Sequence, residues 1–137
     1  MRSRLSPHEA AFTGEVRELK ASLDAGLDPN TRDPYGLTLI HKAAMNGALR
    51  CVQLLVERGA QVNTTDLTGQ TPLHYAAANG YLDVVKWLTE KGHASTSAKT
   101  NKGHTPRYMA KSRGQTKVVT FLNELENKME GNTWMGT

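Results

Sequence analysis

Shifting the chain by 33 residues lays Gly36 on Gly69, Thr38 on Thr71, His41 on His74, Ala43-Ala44 on Ala76-Ala77, Gly47 on Gly80 and Gly59 on Gly92. A self-match at this period marks a solenoid of stacked supersecondary units, in which each unit touches only its neighbours. The clearest copy, residues 66–92, reads as two short helices back to back. Thr71 is placed as a helix N-cap. Pro72 follows as the first helical residue, where its missing N–H loses no bond and its φ is already helical. Leu73, Ala76 and Ala77 give one apolar face; Leu82, Val84, Val85, Trp87 and Leu88 give the second. Gly80 and Gly92 are expected in the left-handed backbone that ends each helix. The alanines let neighbouring helix pairs approach closely, and one such hairpin cannot bury both faces alone. It needs copies on either side.

Thr71-Pro72-Leu73-His74, with Ala76-Ala77 and Gly80, resembles the ankyrin repeat, and the resemblance runs to about Glu126. It implies an all-α solenoid of L-shaped helix–turn–helix units joined by β-hairpin fingers. It also implies a concave surface, made of fingers and first helices, that binds protein partners. Four units follow, at about 1–33, 34–66, 67–99 and 100–126, forming a single domain over residues 1–126.

The units differ in informative ways. In the first, His8, Ala10-Ala11, Gly14, Gly26 and Asn30 keep the period, and Ser6-Pro7 replaces Thr-Pro. Ser22 stands at the inward position of Leu55 and Leu88, and the many charges suit a terminal cap. The second unit has Leu39-Ile40 in place of Pro-Leu, and its second helix, 49–58, is apolar nearly all round. Asn63 is placed to satisfy loop backbone groups. Gly92 to Gly103 is one residue longer than Gly59 to Gly69, so a bulged or mobile third finger is expected. In the last unit Thr105-Pro106 restores the helix start, while Arg107, Tyr108 and Lys111 replace the usual Leu, His and second Ala. Polar residues there suit a face with no further repeat to cover. Residues 127–137 lose the periodicity and are expected as a disordered tail; Trp134 docking back on the stack, or acting as a short linear motif, are the alternatives.

His8, His41 and His74 recur at the repeat period, which spaces them too far apart to share a metal held by bonds of about 2 Å. In the resembled family this imidazole ties the first helix to adjacent backbone. Cys51, the single cysteine, excludes an internal disulfide and falls on an inward position equivalent to Val84. No nucleophile–base–orienter set, phosphate loop or His-Glu-x-x-His is present in the sequence, so the chain reads as non-enzymatic and without a cofactor. No apolar run reaches the length of a membrane span, and none near the N-terminus resembles a signal peptide. Cytosol or nucleus is the expected compartment, and a monomer the expected state.

The positions that the family pattern leaves free are the finger tips and the exposed sides of the first helices. Here they are Tyr35, Leu37, Lys42, Met45 and Asn46 in the second unit, and Leu67, Gln70, Tyr75, Ala78 and Asn79 in the third. Phe12 on the first unit, and His104, Met109 and Arg113 on the last, continue the strip. Aromatic residues and Met are enriched in interface cores, so these are the candidate partner-binding residues of an adaptor, scaffold or regulatory subunit. The competing reading is that they pad neighbouring fingers. Charge adds a second candidate. Between Glu90 and Glu124 there is no carboxylate, but there are Lys91, Lys99, Lys102, Arg107, Lys111, Arg113 and Lys117. This basic patch reads as a solvated cap, as a surface for an acidic protein segment, or as a site for nucleic acid or an anionic membrane.

Overall fold

Each first helix begins at a hydroxyl. Ser6, Thr38, Thr71 and Thr105 sit in extended backbone, and their side chains accept from the backbone N–H three residues on, at Glu9, His41, His74 and Tyr108. A computed structural model describes residues 5–135, with side chains described as far as Met129. Among them are eight helices: α1 (Pro7–Thr13), α2 (Val16–Asp24), α3 (Leu39–Met45), α4 (Leu49–Glu57), α5 (Pro72–Ala78), α6 (Leu82–Glu90), α7 (Pro106–Ser112) and α8 (Thr116–Met135). The first helices stop at the turns carrying Gly14, Gly47, Gly80 and Gly114. After each glycine the next N–H reaches back to a buried alanine carbonyl, as in Ala48 N–H to Ala43 O at 2.8 Å and Tyr81 N–H to Ala76 O at 3.0 Å. Gly80 has φ 78°, which favours glycine, and a Cβ there would also displace the Gln115 amide that bonds Ala78 O.

The eight helices form two rows. First helices α1, α3, α5 and α7 pack in sequence, and second helices α2, α4, α6 and α8 form the row behind. One continuous core runs between the rows, from Leu19 and Ala11 through Leu39, Ile40, Val52 and Leu55 to Leu73, Val85, Leu88 and Leu122, all essentially without solvent contact. Burying this surface is what holds the units together, since helices of 7 and 9 residues are too short to persist alone. Ser22 is half-buried in the cap unit; Leu19 and Leu23 carry its inward face.

Four expectations are corrected. The fingers are not β-hairpins: among the described residues there is a single isolated antiparallel bridge, Arg32 to Thr38. Each finger is instead a tight turn closed by one backbone bond across its base, Asp33 N–H to Leu37 O at 2.8 Å, Asp66 N–H to Gln70 O at 3.0 Å and Thr100 N–H to His104 O at 2.9 Å. The side chain of the leading residue caps the turn from inside. Asp33 Oδ1 accepts from the N–H groups of Tyr35 and Leu37, Asp66 Oδ1 from those of Thr68 and Gln70, and Thr100 Oγ1 from those of Lys102 and His104.

The extra residue of the third loop is also absorbed outside the finger. Ala60 N–H closes on Leu55 O at 2.9 Å, whereas Ala94 N–H closes on Leu88 O at 2.9 Å across one more residue. The left-handed position moves with it: His93 takes φ 59°, and Gly92 does not lie in that region. Gly92 is needed for space, because a Cβ would sit 2.9 Å from the Leu88 carbonyl. The finger beyond repeats the bonding of its predecessors. Finally, α8 continues past Glu126 to Met135, where a disordered tail was expected. The Trp134 side chain lies outside the described residues.

Candidate partner-binding groove

The fingers and first helices are locked together by side chains that bond backbone of the neighbouring unit. His41 accepts at Nδ1 from Thr38 N–H (3.1 Å) and donates from Nε2 to Gln70 O (2.8 Å) in the next finger. His74 repeats this with Thr71 N–H (3.1 Å) and His104 O (2.9 Å). His8 lies 3.1 Å through Nε2 from both Thr31 O and Leu37 O. Burial is the first cause that pushes His41 and His74 below the ordinary histidine range, so both are neutral near pH 7. Tyr108 takes this place in the last unit; its ring lies against His104 at 4.0 Å between centroids.

A second set of bonds runs along the helix ends. Asn46 Nδ2–H donates to Phe12 O and Asn79 Nδ2–H to Met45 O, both at 2.8 Å, and Gln115 Nε2–H donates to Ala78 O at 3.0 Å. A third ties the loops: Gln61 N–H donates to Asn30 Oδ1 and Ser95 N–H to Asn63 Oδ1, each at 2.8 Å. Arg32 adds an uncopied link, donating to Gly36 O, Thr65 O and Thr64 Oγ1 at 2.7, 2.7 and 2.9 Å. Apart from Arg32 to Gly36 O, which stays within one finger, these contacts tie each unit to the next.

On this frame the candidate residues separate into groups. Tyr35 and Leu67 stand out at adjacent finger tips, 74% and 72% exposed. Leu67 packs its side chain over the Gly36 backbone, where a Cβ would meet it at 3.1 Å, so the two tips are neighbours. Leu37, Lys42, Met45, Gln70, Tyr75, His104 and Met109 are half-buried along the same strip. Lys42 lies over the Phe12 ring at 5.4 Å from its centroid, and Tyr75 meets His41 edge-on at 5.8 Å. The Tyr75 hydroxyl donates to Asp66 Oδ2, and Gln70 Nε2–H donates to Tyr75 Oη at 3.3 Å. Burial and then the Asp66 contact raise the Tyr75 phenol well above its ordinary value. Hydrogen bonds from Tyr75, Thr68 and Gln70 overcome burial and hold Asp66 below the usual carboxylate range. Asn46 and Asn79 are exposed, but their amide donors are committed to the stack. Between the second and third fingers a cleft of about 390 Å³ is lined by Leu67, Gln70, Thr100, Lys102, His104 and Met109, among others.

The basic residues divide between faces. Lys102 rims the cleft, and Arg113, the residue that caps α7, bonds through its N–H to the carbonyl of the cleft residue Met109 at 3.3 Å. Arg107 turns to α8, donating to Asn123 Oδ1 at 2.7 Å and lying 3.8 Å from Glu126. Lys117 lines a separate cleft between α6 and α8. Lys99 and Lys111 are exposed. Burial pushes the Cys51 thiol up to about 11, and the residue has no solvent contact, which is the state of an inert core thiol.

A family model described as ankyrin repeats (3 copies) matches residues 8–99 of the chain. The chain belongs to the ankyrin-repeat family. The matched segment covers the first three units, and α7 with α8 repeats their geometry beyond it. No curated protein matches the chain in sequence. Ankyrin repeats are in general protein–protein interaction modules, typically non-catalytic. No helix among the described residues is long and apolar enough to cross a membrane.

Proposed function

We propose that this ankyrin-repeat protein is a non-enzymatic binding module, of adaptor, scaffold or regulatory-subunit type, that engages a protein partner on the strip formed by its fingers and first helices. The observation that carries this reading is the placement of Tyr35 and Leu67. They are the most exposed of the large hydrophobic residues among those described, and they occupy adjacent finger tips with no role in the core. Rigid aromatic and aliphatic side chains on a fixed frame lose little entropy on docking, which favours their use as anchors. The strip between them and Arg113 includes Leu37, Lys42, Met45, Gln70, Tyr75, His104 and Met109; Asn46 and Asn79 serve the stack first.

A pull-down from nuclease-treated lysate tests this with three baits: the native chain, Tyr35→Ser with Leu67→Ser, and Arg50→Glu with Lys86→Glu on the second-helix row. All three should give the same circular dichroism. The finger variant should lose at least about tenfold of the captured protein, as for the loss of two interface anchors, and the rear variant little. Equal capture by the native and finger baits would contradict the reading.

A nucleic-acid or anionic-surface reading would use the basic end, and the absence of carboxylates over residues 91–123 speaks for it. Against it stands the division of those cations between the groove side, α8 and the rear cleft.

A further inference from the structure

The cleft between the second and third fingers differs from the rest of the groove in charge. The first two fingers are capped by carboxylates, Asp33 and Asp66, whereas Thr100 does the same work in the third without charge. Asp66, the nearest of these acids, is occupied by Tyr75, Thr68 and Gln70. Cations gather on the other side. The ion pairs among the described residues are Lys20–Asp24, Arg58–Asp24 and Arg107–Glu126, so Lys99, Lys102 and Arg113 are left unneutralised by any of them. The cleft lining is apolar at Leu67 and Met109, and its width is set by the chain itself. Asn101 donates through its N–H to Thr68 O and through Nδ2–H to Leu67 O, both at 3.0 Å, clamping the two fingers at a fixed spacing. His74 holds His104 from below, and Tyr108 backs its ring. A volume of about 390 Å³ suits one large side chain with its flanking backbone rather than a folded element.

We propose, building on the groove reading above, that this cleft receives a single large apolar side chain from an extended acidic segment of the partner protein, with Lys102 and Arg113 facing the flanking carboxylates. The apolar contact supplies the anchor, and the cations supply register and a salt-dependent association rate. A random peptide library displayed on phage and selected against the full chain tests it. The enriched peptides should carry one Leu, Met or aromatic residue among Asp and Glu. Fluorescence anisotropy on the best of them should show binding weakened at least about tenfold by Lys102→Glu with Arg113→Glu, as for loss of close interface charge pairs. Met109→Glu and, independently, the exposed-site change Leu67→Ser should weaken it as well, with all variants checked for folding. Enrichment of neutral or basic peptides, or indifference to these variants, overturns the proposal. So does an absence of enrichment, or a single-stranded oligonucleotide that binds more tightly than any selected peptide and is lost with the charge reversal. If the selected peptides instead respond only to Tyr35→Ser or to a change at Lys42, the groove reading stands and this cleft is not its anchor point. If they respond to Arg50→Glu or Lys86→Glu on the rear row, both fail.

Discussion

The imidazole of His41 can serve the stack only as the neutral Nε2–H tautomer, because Nδ1 accepts from Thr38 N–H while Nε2 donates to Gln70 O. Protonating Nδ1 would set two N–H groups against each other at a fully buried side chain, and the same holds at His74. Both folded-state pKa values lie below the ordinary 6.5, so the folded protein binds fewer protons than the unfolded chain in that window. Stability is then complete above about pH 6.5 and falls as pH drops, before the carboxylates titrate near pH 4. Urea midpoints from pH 8 to 5 should be level at first and decline below about 6.5; a level profile to pH 5 would contradict the tautomer assignment. The period of 33 made these histidines legible as structural residues in the sequence. Arg32 was not legible: its shifted position holds Thr65, so no repeat signal marks its bonds across the fingers. Asn46 and Asn79 did repeat, yet they read as free groove positions, because a pattern shows recurrence and not which way an amide points.

At the scale of elements, the first helix of each unit is capped at both ends by recurring chemistry, and this is where the sequence was most readable; α2, α4 and α6 start without a side-chain cap. Thr-Pro starts and glycine ends predicted α5 and its neighbours well, since each signal is local. The departures arose where local signals conflict with tertiary demands. Gly92 looked like a left-handed terminator, but the added residue passed that conformation to His93. The fingers turned out to be side-chain-capped turns, because Asp33, Asp66 and Thr100 satisfy the N–H groups that a β-ladder would use. Among the links between elements, Asn79 to Met45 O can be removed without disturbing the core. Asn79→Ala should therefore destabilise by about 1 kcal/mol, the net value of one hydrogen bond, in a urea melt. A change under about 0.3 kcal/mol would show that the helix-end contact contributes nothing to stacking.

Across the whole molecule, the repeat architecture turns two rows of helices into one core and leaves the fingers free of packing duty. That division is why the fold was legible and the site only partly so: core positions obey a period, whereas binding positions are those released from it. Tyr35 and Leu67 were visible in the sequence as finger residues, but their adjacency and their exposure needed the structure. The cleft lined by Leu67 and Met109 joins residues 42 apart in sequence that no motif connects. The most direct test of the groove is a photo-crosslinking scan with benzoylphenylalanine placed singly at Tyr35, Leu67, Gln53 and Lys86. A specific crosslinked protein is expected from the two finger sites and none from the two on the rear helices. Crosslinking from Gln53 or Lys86, with the finger sites silent, would place the working surface on the opposite face.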